Sequence, residues 1–360
     1  MINQLNEKND TPTIPVLSPE TPPIKQSTKL EYWQILVGLG LSIGSIYLAI
    51  QGVNLSQVLS AISGAIPVYI GLAVVVSFAT LAAKAARWRL LFNQQAPTFQ
   101  RSFAIQNIGI FLNSIVPARL GDFLRAYLMG EENNQSKVYV LGTIVVEKIF
   151  DMFFIVISIV LLLPQVVFPN WVSKPSELTA IFVVIILIIG SLVAWKREVV
   201  FHLMERWSKV LPHHWQGWIL RQAGNLLSSL ECVRNTRQLI NILVWSFLIW
   251  VLGFGTNLLV FWAMGLSLSF LPAIFLLIVL QVGVAVPSSP GRIGVFHYLT
   301  VLALSVFSIE KGPALSYGIV LHLVVFVPLT LLGAYYIWEE KISWSRIMRT
   351  IRLVKFRGKN

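Results

Sequence analysis

Three stretches of an otherwise apolar chain hold charged residues at spacings that chemistry could use. In the first, Val116-Pro117-Ala118-Arg119-Leu120-Gly121-Asp122-Phe123-Leu124-Arg125, the residues Arg119, Asp122 and Arg125 recur every third position and share one helical face. Two guanidiniums against one carboxylate leave a net positive site suited to a phosphate. An ordinary ion pair in a loop is the other reading. In the second stretch, Glu147-Lys148-Ile149-Phe150-Asp151, two carboxylates stand at i and i+4 on one face, inside an apolar run. An ionised side chain at mid-membrane costs roughly 2.5 to 3.5 kcal/mol or more, so these carboxylates need cationic partners. Arg119, Arg125 and Arg292 are the candidates, and the resulting network is either a headgroup site or a lock between helices. The third stretch, Val286 to His297, is broken by Pro287, Pro290, Gly291 and Gly294 and carries Arg292 and His297. Helix ends that face a cavity offer free backbone N–H groups to an anion. His297, like His322, reads either as a packing residue or as a proton carrier. The single cysteine, Cys232, excludes an intramolecular disulfide, and neither a metal-ligand constellation nor a nucleophile motif is visible.

The elements that must position these residues are membrane helices. Of 360 residues 56% are hydrophobic and 12% charged, and with a mean hydropathy of +0.72 there is too little charge to cover a soluble fold of this size. The net charge of +12 lies between and beyond the apolar runs, which points to anionic headgroups rather than nucleic acid as neighbours. The expected fold is an all-α polytopic membrane protein with about eight spans, 33–50, 65–88, 138–163, 178–195, 239–264, 271–286, 293–309 and 315–338. Residues 103–129 are too interrupted for a span and predict a re-entrant pair of short helices hinged at Pro117 and Gly121. Lys84, Arg87, Arg89 and Arg101 read as the positive flank of the second span, placing that loop and both termini in the cytoplasm. The segment 196–237, with Lys196, Arg197, Arg206, Lys209 and Arg221 among tryptophans, reads as amphipathic helix on the inner face. The domain is thus expected at 32–340, between a disordered tail, 1–31, and a basic tail, 341–360. Val116-Pro117 and Gly121 match Val286-Pro287 and Gly291 in spacing, a pattern open to two readings, an inverted repeat or chance.

Taken in order, Pro117 to Asp122 with Arg125, Glu147-Lys148 with Asp151, and Pro287 to Gly294 resemble the lysylphosphatidylglycerol synthase transmembrane-region family, also called UPF0104 or flippase-like. The resemblance covers about residues 30–340. It implies a membrane domain that, in relatives joined to a cytoplasmic synthetase, moves an aminoacylated lipid to the outer leaflet. The family pattern often reads Pro-Gly-Gly-x-Gly followed by a Glu, whereas here Arg292 replaces the second glycine and His297 stands where the acid is expected. That shifts the expected ligand from a cationic headgroup to an anionic lipid or a lipid-linked phosphate. The chain stops at Asn360, soon after the last span, so a stand-alone domain is expected, in the plasma membrane, served by a separate synthase or glycosyltransferase and needing no cofactor. The leading expectation is a lipid flippase or lipid-binding transporter. Arg119, Arg125 and Arg292 would hold the phosphate, Asp122, Glu147 and Asp151 would orient them, and His297 would complete the site. A transferase using Glu147, Asp151 or His297 as general base, and a non-transporting partner of a cell-envelope synthase, are the alternatives.

Overall fold

In lipid a chain this apolar must satisfy its backbone polar groups within each segment, which helices do. The computed structural model describes residues 28–93, 95–115, 120–162, 195–209, 212–283 and 289–342, with isolated positions between 164 and 193. Pro117, Arg119 and Pro287, most of 178–195, and residues 1–27 and 343–360 of the expected tails lie outside the described residues. The described elements are α1 (Thr28–Ile50), α2 (Leu55–Ser63), α3 (Pro67–Leu90), α4 (Phe99–Ile115), α5 (Gly121–Glu132), α6 (Lys137–Leu162), α7 (Arg197–Ser208), α8 (His213–Ser229), α9 (Glu231–Arg234), α10 (Thr236–Ala263), α11 (Phe270–Gly283), α12 (Val295–Ser305) and α13 (Lys311–Glu339). Helices α3, α10 and α13 are each long and apolar enough to cross a membrane, and α1 with α2, bent by 85°, makes a fourth such unit. The chain is a helical membrane protein.

The expected interruption at 103–129 is a pair of helices, α4 and α5, packed face to face. Their approach depends on two glycines. A Cβ on Gly121 would lie 1.9 Å from the Gly109 carbonyl oxygen, and one on Gly109 would lie 2.2 Å from the Arg125 Cγ. The Gly121 N–H also donates to Asn113 Oδ1 at 2.8 Å, which ties the start of α5 to α4.

The apolar runs 271–286 and 293–309 predict separate crossings, and here the structure differs. Helix α12 has 11 residues, a rise of roughly 17 Å against a hydrocarbon core of about 30 Å. It starts beside the middle of α1, because a Cβ on Gly294 would lie 2.4 Å from the Ser42 carbonyl oxygen. The chain therefore comes in along α11, turns at mid-depth through a short 3-10 turn, Pro290–Arg292, and goes back along α12. Gly291 (φ 71°), Arg292 (φ 58°) and Gly294 (φ 93°) make that turn in left-handed backbone. Glycine takes such angles without cost, while Arg292 adopts them under strain.

The two broken pairs are inserted from opposite faces. Arg101 at the start of α4 pairs with Glu132 at the end of α5 and with Glu340 just beyond α13, so these ends share one face, called here the near face. On the far face, the Ile66 N–H before α3 donates to the carbonyl of Ala263, the last residue of α10, at 2.8 Å, and short connections hold the start of α11 and the end of α12 there. At the tips, α4 packs on the 3-10 turn. The order helix, broken pair, helix thus occurs twice in opposite sense, as α3 to α6 and as α10 to α13, the arrangement an inverted repeat leaves. Buried apolar side chains fill two clusters, one around Phe154, Phe261, Phe275 and Tyr317 and one around Trp88, Met129, Ile144 and Cys232. Ile43, Val68 and Phe247 are exposed on the outer surface of the bundle, as lipid contact requires.

Segment 196–237 forms α7, α8, α9 and the start of α10, with the Asn235 side chain capping α10 by accepting from the Gln238 N–H. Cys232 is buried there, its Sγ within 3.3 Å of the Ser229 carbonyl. Burial pushes its thiol up to about 12, against about 8.5 in an unfolded chain. The raised value favours the neutral thiol in the folded state. Its contribution to stability is complete below about pH 8.5 and is lost as pH rises from there toward about 12. At neutral pH, Cys232 should resist maleimide in the folded protein and react fully after denaturation; mass spectrometry with and without denaturant checks this.

Candidate functional site

Where the α4–α5 pair meets α3 and α6, five charged side chains from three helices come together. Arg125 of α5 donates through Nη2 to Glu147 Oε2 of α6 at 2.8 Å, while its Nη1 lies 3.5 Å from Asp122 Oδ1. Arg87 of α3 faces the other side of Glu147, with Nη2 at 3.6 Å from Oε1. Its Nη1 reaches Asp151 Oδ1 at 2.7 Å and donates to Ser246 Oγ of α10 at 3.1 Å. Arg87, Arg125 and Glu147 are buried, and the Arg125 guanidinium also lies 4.3 Å from the centre of the Trp88 ring. Two arginines share one carboxylate, and the more exposed Asp151 takes the remaining charge of Arg87. Such a network adds little net stability when intact but is expensive to open, because a lost partner strands a charge away from water.

Above this network lies a cavity of about 290 Å³. Lys84, Arg125, Lys148 and Arg292 line it against Asp122, Glu147 and Asp151, and Arg87 adds a fifth cation just behind the wall. All three carboxylates are already in contact with arginines. Lys84 and Lys148 stand in none of the ion pairs formed among the described residues. Five basic side chains thus face three carboxylates at this cavity, and the net positive balance attracts an anion. Its opposite wall is apolar, with Trp250, Leu277, Leu280, Phe296, Leu321 and Val325, and Asn257 lines it further up α10. From Ile249 to Asn257, which both line the cavity, the α10 axis rises roughly 12 Å, so the cavity extends along this spanning helix for well over a third of a hydrocarbon core of about 30 Å.

The structure brings Asp122, Arg125, Glu147, Asp151 and Arg292 to one cavity. Arg119 and the hinge prolines Pro117 and Pro287 lie outside the described residues. Glu147 takes its cations from Arg125 and Arg87, with Arg125 as expected and Arg87 unforeseen. Lys84 and Arg87, read from sequence as a solvated flank of the second span, sit within α3 at the site. A signal was present: Ser77, Thr80, Lys84 and Arg87 recur every three to four residues and form one polar stripe on an apolar helix. His297 is not among the residues that line the cavity. Its Nδ1 accepts from the Gly294 N–H at 3.4 Å, and its ring centroid lies 5.0 Å from that of His322, whose Nε2 donates to the Gly291 carbonyl at 2.8 Å. This pair holds the 3-10 turn that carries Arg292 to the cavity. Among the described residues no three His, Cys, Asp or Glu side chains gather as a metal ion would need.

Residues 35–333 match the family model described as the lysylphosphatidylglycerol synthase TM region. The chain is 28% identical over 236 residues to a UPF0104 membrane protein of Methanocaldococcus jannaschii, covering 65% of this chain and 96% of that protein. Two UPF0104 membrane proteins of Methanothermobacter thermautotrophicus are 22% and 23% identical, each over 77% of this chain and over 87% and 85% of their own lengths. No solved structure matches the chain.

Proposed function

The chain belongs to the lysylphosphatidylglycerol synthase TM-region family, and from that premise and the cavity's charge we propose that it binds the phosphate of an anionic membrane lipid and carries the headgroup between leaflets. The observation that carries this reading is the excess of basic over acidic side chains, Lys84, Arg87, Arg125, Lys148 and Arg292 against Asp122, Glu147 and Asp151, in a cavity whose acids all contact arginines. The apolar wall of Trp250, Leu277 and Leu280 gives the lipid's glycerol and first methylenes a compatible surface. Two broken pairs inserted from opposite faces favour access from either side in turn, as in transporters built from inverted repeats. Arg89, Arg101 and Lys137 gather at the near face, which supports placing it and both termini in the cytoplasm of a plasma-membrane protein. The exposed Leu203, Trp207 and Trp218 of α7 and α8 then lie in the cytoplasmic headgroup layer.

Native mass spectrometry of the purified protein tests the binding step. The wild type should retain anionic lipid in preference to phosphatidylcholine. A Lys84→Gln, Lys148→Gln variant of unchanged thermal stability should lose that preference by at least about tenfold, as expected for removing two charge-assisted contacts. Equal retention by both proteins would remove the phosphate site from the account.

A further inference from the structure

We propose that the headgroup this cavity selects is a phosphodiester whose remaining part is uncharged and hydroxyl-bearing, and that Gln106 of α4 reads its hydroxyls. The inference rests on the lipid-phosphate reading above and adds the chemistry of the group attached to the phosphate.

Gln106 is 1% exposed and lines the cavity. Neither its Oε1 nor its Nε2 has a hydrogen-bond partner among the described residues. A buried amide with both ends unsatisfied is rare and costly, and its two ends ask for opposite things, since Nε2 donates while Oε1 only accepts. An ammonium on the headgroup would satisfy Oε1 and leave Nε2 stranded. A bare phosphate would satisfy Nε2 and leave Oε1 stranded. A hydroxyl both donates and accepts, so one or two adjacent hydroxyls satisfy both ends.

Two further observations agree with this. Ser77 of α3, which lines the same cavity, is buried and has an Oγ without a partner among the described residues, offering another site that pairs with a hydroxyl. An amine-bearing headgroup would need a free carboxylate, and Asp122, Glu147 and Asp151 each already contact an arginine. The charges thus hold the phosphate, and the neutral polar groups sort what is attached to it.

The test offers the full chain three lipids of matched acyl chains, phosphatidylglycerol, phosphatidic acid and phosphatidylethanolamine, in competition, read by native mass spectrometry. The wild type should bind phosphatidylglycerol about tenfold better than phosphatidic acid and better still than phosphatidylethanolamine. Gln106→Met should bring the ratio of the first two close to one, and Ser77→Ala should lower it to a lesser extent; unchanged thermal transitions exclude misfolding. A wild type that binds the two anionic lipids equally, or a Gln106→Met protein that keeps the wild-type ratio, overturns the hydroxyl subsite while leaving the phosphate site standing. A preference for phosphatidylethanolamine overturns both.

Discussion

Replacing Glu147 with leucine should lower the stability of the detergent-solubilised protein by about 3–5 kcal/mol, the usual cost of breaking a buried ion pair by removing one partner. Glu147 is the carboxylate that both Arg87 and Arg125 share, and both arginines are buried. Without it two buried guanidiniums face each other across α6, one left with Asp151 and the other with the 3.5 Å contact to Asp122. The loss should be far from additive. Adding Arg125→Met to Glu147→Leu removes the stranded charge and should restore a large part of the stability, since an ion pair replaced as a unit by apolar groups is often neutral. Thermal unfolding of the single and double variants measures this. A single variant within about 1 kcal/mol of wild type would mean that the network is not dry.

Gly294→Val should cost about 3 kcal/mol or more. Its backbone, at φ 93° and ψ −70°, is one that a β-branched residue adopts only under strain of about 1–3 kcal/mol. Its Cβ would also fall 2.4 Å from the Ser42 carbonyl oxygen and 2.9 Å from Ile46 Cγ1. A backbone atom cannot step aside, so the second broken pair must move off α1, and with it Arg292 and the Gly294 N–H that His297 accepts. The variant should unfold at lower temperature and bind anionic lipid less well. Retained stability and binding would show that the turn has another arrangement open to it.

How much of this was legible in the sequence follows from which forces are local. The apolar runs behind α3, α6, α10 and α13 are long enough to be read by counting, and the polar interruption at 103–129 could only be a broken pair. Glu147 and Asp151 announced that cations must meet them, because carboxylates two to three turns inside a span have no other recourse. The identity of one of those cations was not legible. Lys and Arg at the end of a span usually snorkel to the headgroups, so Lys84 and Arg87 looked ordinary until α6 was placed beside α3. The depth of the turn at 289–294 was also hidden, since the apolar residues on either side are numerous enough for two crossings. What stops the chain at mid-depth is the contact of Gly294 with α1, about 250 positions earlier in the chain, and no local pattern encodes it.

Movement of a lipid headgroup through this cavity can be followed as leaflet exchange in proteoliposomes. Fluorescent phosphatidylglycerol would be followed by dithionite bleaching, with wild-type protein, the Lys84→Gln, Lys148→Gln variant and protein-free vesicles compared side by side. The wild type should let nearly all of the label become accessible, while the variant, folded and incorporated to the same level, should exchange it at least about tenfold more slowly. Wild-type vesicles indistinguishable from protein-free ones, or a double variant as fast as the wild type, would contradict it.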